Sequence, residues 1–240
     1  MLYTTIIRDP ASITALYHGK HSPDGYKMCL LEAVAWISGQ KWSDNPEDVC
    51  PILAAFGREW NDGLRSDEER TQLLPYIPLL VGSKSSLEVE KKRAYLAMDW
   101  LVRVYAPAWL RLAKLDTYAV ALEALSPLVD NASTRDASGL IKTARAAARG
   151  AAEGITWVAF RSAASTIRST AGEATREAVR FAAWEYNWGS DIEEYGWIAY
   201  DASIEAAKAA FKANVVMEPT ILEMQLSAHT LYRQMISVTG

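Results

Sequence analysis

The chain contains 240 residues with a formal net charge of −4, and half of its residues are hydrophobic. This length and apolar fraction are sufficient for a buried core, and they exclude an intrinsically disordered chain. Only two cysteines are present, which excludes a disulfide-rich scaffold. The near-neutral charge argues against general coating of nucleic acid, because that function requires a strongly basic surface.

No segment of the chain has the pattern of a targeting or membrane-spanning sequence. The N-terminus lacks both a basic segment before its apolar run and a small-residue cleavage site, so we predict no signal peptide. The longest stretch without Asp, Glu, Lys or Arg is interrupted by Pro75 and Pro78. It is shorter than the ~20 apolar residues that a bilayer span requires. We therefore expect a cytoplasmic protein with no membrane contact.

Capping residues and prolines in the first half of the chain predict a series of helices. Pro at a first helical position and Ser before an apolar run both favour helix starts, whereas Gly favours helix ends. The predicted starts are Pro23, Pro51, Ser66 and Ser86, and the predicted ends are Gly39, Gly63 and Pro107.

The second half is rich in Ala, the residue with the highest helix propensity. Residues 118–125 predict a short helix, and the polar residues 131–139 predict a linker. Only residues 2–7 have the composition of a short strand, so we predict an all-α fold, a multi-helix bundle. Its N-terminal helical module would span residues 1–130, with an Ala-rich helical segment, 131–240, packed on it or continuous with it. A single buried stripe is predicted at Trp197, Tyr200, Ile204, Ala207, Phe211 and Val215.

Charges are sorted along this second half. Between Lys142 and Arg180 there are seven basic and three acidic residues, whereas six acids and no base lie between Phe181 and Glu205. The spacing of Glu173, Arg176, Glu177 and Arg180 predicts ion pairs within one helix, and Arg145 and Arg149 are followed by Glu153. Because these bases are compensated, we expect no nucleic-acid partner.

The acidic stretch is also rich in aromatic residues, which are enriched at the centres of protein interfaces. Its simplest interpretation is a helical core with a solvated acidic face. The alternative is a surface for a protein partner or for self-association. The candidate interface residues are Trp184, Trp188, Asp191, Glu193, Glu194 and Trp197.

Both cysteines and two of the three histidines lie between residues 17 and 62. His21, Cys29 and Cys50 are ligand types of a zinc site, the single cofactor that the sequence suggests, although the two cysteines are far apart for such a site. The alternatives are buried structural thiols, a Cys29–Cys50 disulfide, or a Cys29 nucleophile served by a nearby His and a carboxylate. Candidate residues of an adjoining cleft, which also suit helix caps and turns, are Glu32, Asp44, Asn61 and Asp62.

One motif carries a family resemblance. Residues 17–64, YHGKHSPDGYKMCLLEAVAWISGQKWSDNPEDVCPILAAFGREWNDGL, resemble an uncharacterised family of actinobacteria and their bacteriophages. The similarity extends over most of the chain, through LLPYIPLLVG to LEMQLSAHTLYRQM. His21, Cys29, Glu32, Asp44, Cys50, Asn61 and Asp62 match its motif, while Asn45 stands where the family often has His. The resemblance implies a helical fold and an origin, and no activity.

These observations favour a non-enzymatic, helical protein-binding protein, encoded by a phage or prophage and acting on a host partner. We assign no catalytic residue. The first alternative is a metal- or thiol-dependent site built on His21, Cys29 and Cys50. The second is a ligand sponge, or an inhibitor of a host defence or regulatory protein, which requires a pocket lined by aromatic residues and Arg.

Overall fold

The computed structural model describes residues 8–187 and 190–239, apart from the side chains of residues 157–160 and 190. These ranges contain no β-strand, which confirms the predicted all-α multi-helix bundle. The strand considered at residues 2–7 lies outside the described residues. The helices are α1 (Leu30–Ser38), α2 (Pro51–Gly63), α3 (Asp67–Arg70), α4 (Ile77–Leu80), α5 (Leu87–Trp100), α6 (Ala106–Leu112), α7 (Asp116–Glu123), α8 (Asn131–Ala152), α9 (Trp157–Arg168), α10 (Gly172–Glu185), α11 (Ser190–Lys212) and α12 (Glu218–Ser237).

The predicted starts of α2, α3 and α5 are confirmed, whereas α1 begins later than predicted. Cys29 is the N-cap of α1, and residues 22–25 form a turn, so the start predicted at Pro23 is wrong. The actual start is set by Glu32, whose carboxylate accepts a hydrogen bond from the Cys29 N–H. The predicted end is confirmed, because Gly39 follows α1 with φ of 69°.

Pro107 does not end the helix that precedes it. A π-helical turn, Leu101–Tyr105, joins α5 directly to α6, and Pro107 lies in the first turn of α6. Proline has no N–H to donate inside a helix, and the π turn just before it accommodates this loss by shifting the hydrogen bonding, with the Ala106 N–H bonded to the Leu101 carbonyl five residues earlier. In the described structure, the helical path therefore continues from residue 87 to residue 112.

The linker predicted at residues 131–139 is in fact the first part of α8. The Asp130 carboxylate accepts a hydrogen bond from the Ser133 N–H at 2.8 Å. The Ser133 hydroxyl accepts one from the Asp130 N–H at 3.1 Å. This reciprocal capping box starts the helix. Of the polar residues that suggested a linker, Arg135 and Asp136 are exposed, whereas Thr134 is buried.

Helix α11 is surrounded by α6, α8, α9 and α10. As predicted, Tyr200 and Ala207 are buried, but Trp197 is 47% exposed. The buried surface of α11 is formed mainly by small residues such as Ala199 and Ala206, which let the neighbouring helices approach closely. Trp197 lies on the opposite side, one turn after the exposed Glu194.

The C-terminal helix α12 completes the core of the N-terminal half. Tyr232 stacks on Phe56 with their ring centroids 4.8 Å apart, and its hydroxyl donates to the Leu53 carbonyl at 2.9 Å. The buried Arg93 of α5 donates to the carbonyl of Met235, at the end of α12, at 2.9 Å. Chain segments from both halves of the sequence thus share one hydrophobic core.

No helix in these described ranges is both long enough and apolar enough to cross a membrane.

Candidate functional site

Glu32 holds the loop that precedes α1. Its carboxylate is fully buried and accepts hydrogen bonds from the backbone N–H groups of His21, at 2.7 Å, and Cys29, at 2.9 Å. The other contact joins Glu32 Oε2 to His21 Nδ1 at 2.9 Å. Glu32 therefore orients the imidazole of His21, as one sequence-based alternative required, while also fixing the backbone around it.

Asn61 and Asp62, at the end of α2, hold the same loop from the other side. The Asn61 side-chain amide donates to the Tyr17 carbonyl at 2.9 Å. The Asp62 carboxylate accepts from the Gly19 N–H at 2.8 Å. These contacts join residues more than forty positions apart, so the two side chains fasten the loop to α2.

Asp44 lies apart from this network. Its carboxylate pairs with Lys20 at 3.2 Å, and its backbone carbonyl accepts a hydrogen bond from Arg58 at 3.0 Å. A cleft of about 520 Å³ adjoins this pair and is lined by Lys20, Trp42 and Asn45, among others. Asp44 itself does not line it, and neither do Glu32, Asn61 and Asp62, so the four predicted cleft residues do not form one cleft.

Cys29 and Cys50 are both free, buried thiols, and no disulfide joins them. Burial raises the pKa of Cys29 to about 12. Burial also raises the pKa of Cys50, against the opposing effect of Arg93. Because the thiolate is the nucleophilic form, neither environment activates a thiol.

The described ranges contain no group of three His, Cys, Asp or Glu side chains placed to hold a metal ion. His21, Cys29 and Cys50 are among the described residues, so the structure does not bring them together as a ligand set. His21 instead pairs with Glu32 through Nδ1.

The described candidate interface residues lie on α10 and α11, and the two tryptophans among them are exposed. Trp184 is 76% exposed and Trp197 is 47% exposed, whereas Trp188 lies outside the described residues. The Arg180 guanidinium lies 5.9 Å from the ring centroid of Trp184, and that of Arg176 lies 4.6 Å from the ring centroid of Trp197. Both indole rings therefore make a cation–π contact with an arginine of α10.

The two tryptophans belong to one continuous surface. Glu177 forms ion pairs with both Arg176 and Arg180, so it links the arginine beside Trp197 to the arginine beside Trp184. The predicted pairing of acids and bases within α10 is thus confirmed.

The acids of the candidate interface are paired with α8. Three ion pairs join the two helices: Arg135–Asp191 at 3.1 Å, Lys142–Glu194 at 3.3 Å and Arg145–Asp201 at 2.5 Å. Along these three pairs the residue numbers rise on α8 and on α11 together, so the two helices run parallel. Arg145 therefore pairs across helices, with Asp201 of α11.

Glu193 faces α10. The hydrogen bond that Arg180 donates to the Glu177 carboxylate is the main cause that raises the pKa of Arg180, and the negative charge of Glu193 adds to this effect. The acidic stretch of the sequence consequently meets the basic stretch inside the fold, and this surface is closer to electroneutral than the sequence suggested.

A pocket of about 360 Å³ opens beside Trp197 and is lined by Arg145, Glu194, Trp197, Ile198 and Asp201. We call this surface the Trp197 face. Its residues are Arg135, Lys142, Arg145, Arg176, Arg180, Trp184, Asp191, Glu193, Glu194, Trp197, Ile198 and Asp201.

Sequence reasoning missed the basic side of this face. Arg135, Lys142 and Arg145 recur at helical spacing of seven and three residues, and Asp191, Glu194 and Asp201 recur at three and seven. Matching these two charge patterns, instead of considering each separately, would have indicated that α8 and α11 pair.

No protein-family model, curated protein or solved structure matches the chain. The resemblance to proteins of actinobacteria and their phages therefore stays a prediction.

Proposed function

We propose that this chain is a non-enzymatic protein-binding protein of the bacterial or phage-infected cytoplasm, and that it contacts its partner through the Trp197 face. The observation that carries the proposal is the half-exposed Trp197 on a helix that is otherwise almost completely surrounded. A soluble fold gains nothing from leaving a large indole in water, whereas burial of that surface in a complex is favourable.

The composition of the face supports a protein partner. Trp and Arg dominate the binding energy of protein interfaces, and charged residues typically surround an aromatic centre. Here Trp197 lies among Arg145, Arg176 and their acidic partners. These arginines are neutralised by neighbouring carboxylates, which disfavours phosphate binding, so a nucleic-acid partner has no support from this face.

The ligand-sponge alternative rests on the pocket beside Trp197. It combines an aromatic residue with Arg145 in about 360 Å³, near the lower limit of small-molecule sites. A ligand would stabilise the folded state by mass action. A rise in the unfolding temperature on adding the small-molecule fraction of a host extract, lost in Trp197→Ala, would favour this alternative.

Photo-crosslinking within host cells tests the main proposal. A photoreactive phenylalanine analogue in place of Trp184 should form an adduct with one partner protein, because this side chain is 76% exposed on the face. The same analogue at Tyr26, which is 83% exposed on the N-terminal loop, provides the control and should not form that adduct.

A second change, Trp197→Ala, should abolish the adduct formed from position 184. Equal adducts from positions 184 and 26, or an adduct unaffected by Trp197→Ala, would contradict the proposal. An adduct whose mass is that of two copies of the chain would identify self-association in place of a partner.

A further inference from the structure

The pocket beside Trp197 has apolar walls and a charged rim. Trp197 and the buried Ile198 supply its apolar surface, and they are consecutive residues of α11. Arg176 covers Trp197 from the α10 side at 4.6 Å, so the opening lies on the side of α8, from which Arg145 reaches the rim.

The charges on the rim are already satisfied within the protein. Glu194 pairs with Lys142 at 3.3 Å, and Asp201 pairs with Arg145 at 2.5 Å. A charged side chain that entered the pocket would lose its hydration without meeting an unpaired opposite charge, which is unfavourable. An uncharged apolar side chain has no such cost, because its removal from water is favourable, and it gains contact with the indole and Ile198.

The acids near Trp184 are less well compensated. Glu185, the exposed residue that follows Trp184 in the chain, forms no ion pair with any residue of the described ranges. Glu193 acts on Arg180, which is already paired with Glu177. This end of the Trp197 face therefore carries a residual negative charge, which complements a basic group.

The shape of the face is set by α8 and α11, which run parallel for 22 and 23 residues. Such helices are roughly 33 Å long at 1.5 Å per residue. Three ion pairs bridge the seam between these helices, so a helical segment laid along it would rest on them and place one side chain in the pocket beside Trp197.

We infer that the partner docks a helical segment along α8 and α11, inserts one uncharged apolar side chain beside Trp197, and directs Lys or Arg toward Glu185 and Glu193. This inference rests on the proposed function and specifies the chemistry of the partner. It predicts an interface that is anchored by apolar contact and oriented by charge.

Selection from a displayed library of helix-forming peptides tests this inference on the full chain. Enriched peptides should share a Leu, Met, Ile or aromatic anchor with Lys or Arg on one flank. By fluorescence anisotropy, Trp197→Ala should weaken their binding by at least about tenfold, as expected for a central interface residue. Changing the peptide anchor to Asp or Lys should have the same effect.

Leu222→Ala is the matched control, because Leu222 of α12 is 50% exposed and lies outside the Trp197 face; it should leave binding unchanged. Trp197→Leu keeps an apolar side chain over Arg176, so its loss of binding should be intermediate. It replaces Trp197→Ala in this test if circular dichroism shows that the Ala variant does not fold.

Enriched peptides with a charged anchor, peptides that bind both Trp197 variants as tightly as the wild type, or the absence of any enriched peptide would overturn the inference. If the peptide selection fails but the adduct from position 184 still forms in cells, the proposed protein-binding function stands and only the inference about a helical segment is overturned. If that adduct is also missing, the proposed function is overturned as well.

Discussion

His229 shows how a single half-buried residue couples the stability of this protein to pH. Its Nδ1 lies 2.7 Å from the Tyr76 hydroxyl, and its Nε2 lies 2.7 Å from Oε1 of Gln72. A neutral ring that carries its hydrogen on Nε2 satisfies both contacts. Burial, with a smaller contribution from Arg233, lowers the pKa of this ring below its ordinary value.

This lowered pKa predicts a loss of stability in mild acid. The unfolded chain binds a proton at His229 near the ordinary pKa of about 6.5, before the folded protein does. The contribution of His229 to the free energy of unfolding is therefore fully present above about pH 6.5. It decreases as the pH is lowered toward the pKa of His229 in the folded protein. Urea unfolding at about pH 7.5 and about pH 5.5 measures the change.

His229→Gln provides the comparison, because it removes the titration and keeps a hydrogen-bonding side chain. The variant should be less stable at neutral pH, but its stability should decline less between the two pH values. Equal declines in both proteins would show that His229 does not contribute to the pH dependence.

Individual residues also explain what the sequence did not reveal about the first motif. The types and positions of His21, Glu32, Asn61 and Asp62 suggested chemistry, and the resemblance grouped them. Their hydrogen bonds to backbone N–H and carbonyl groups of one loop depend on the path of that loop. Since no periodic pattern specifies an irregular path, sequence reasoning could identify these residues but not their structural role.

Among the helices, the end of α6 carries a local strain that a substitution can relieve. Lys114 follows α6 with φ of 63°, and the next N–H, of Leu115, returns to the Leu110 carbonyl at 2.9 Å. This is the geometry of a C-terminal cap in which glycine is preferred. A residue with a Cβ atom is destabilised by about 1 kcal/mol in the left-handed region.

Lys114→Gly is therefore expected to raise the free energy of unfolding by about 0.5–1 kcal/mol. Lys92→Gly, at an exposed position within α5, is the control and should lower it by about 1 kcal/mol. Both values can be measured by urea denaturation. A loss of stability in Lys114→Gly would indicate that the lysine side chain contributes more than the backbone strain costs.

Helix existence was predictable for most of the chain, but helix boundaries and exposure were less so. Regular spacing and ordinary caps located α2, α3 and α5. The start of α8 was missed because Asp130 and Ser133 form a capping box within a run of polar residues that also suits a linker. The exposure of Trp197 depends on which neighbours surround α11, and a helical repeat contains no such information.

At the scale of the whole molecule, the sorted charges of the sequence serve to align α8 with α11. The side chains of Lys142 and Glu194 are each about half exposed, so their pair is expected to contribute at most about 1 kcal/mol. Reversing acids such as Asp191 and Glu194 alone would place like charges beside Arg135 and Lys142. It would therefore disturb the fold as well as any binding.

A charge swap separates these effects. Lys142→Glu or Glu194→Lys alone should lower the free energy of unfolding by about 0.3–1 kcal/mol, and the double variant should recover most of the loss. The coupling should shrink in high salt, because the pair is exposed. Additive losses in the double variant would show that this pair does not hold α8 against α11.

The position of α12 constrains the order in which the molecule can be assembled. Tyr232 fills the space against Phe56 and Leu53, partners that precede it by more than 170 residues, and Arg93 binds the carbonyl of Met235. On the ribosome, α2 and α5 emerge long before these partners exist, so the part of their apolar surface that α12 covers must stay uncovered until α12 has been synthesised. A chain that stops before α12 would expose Phe56, Trp60 and Tyr76, and we expect it to be recognised by chaperones and degraded.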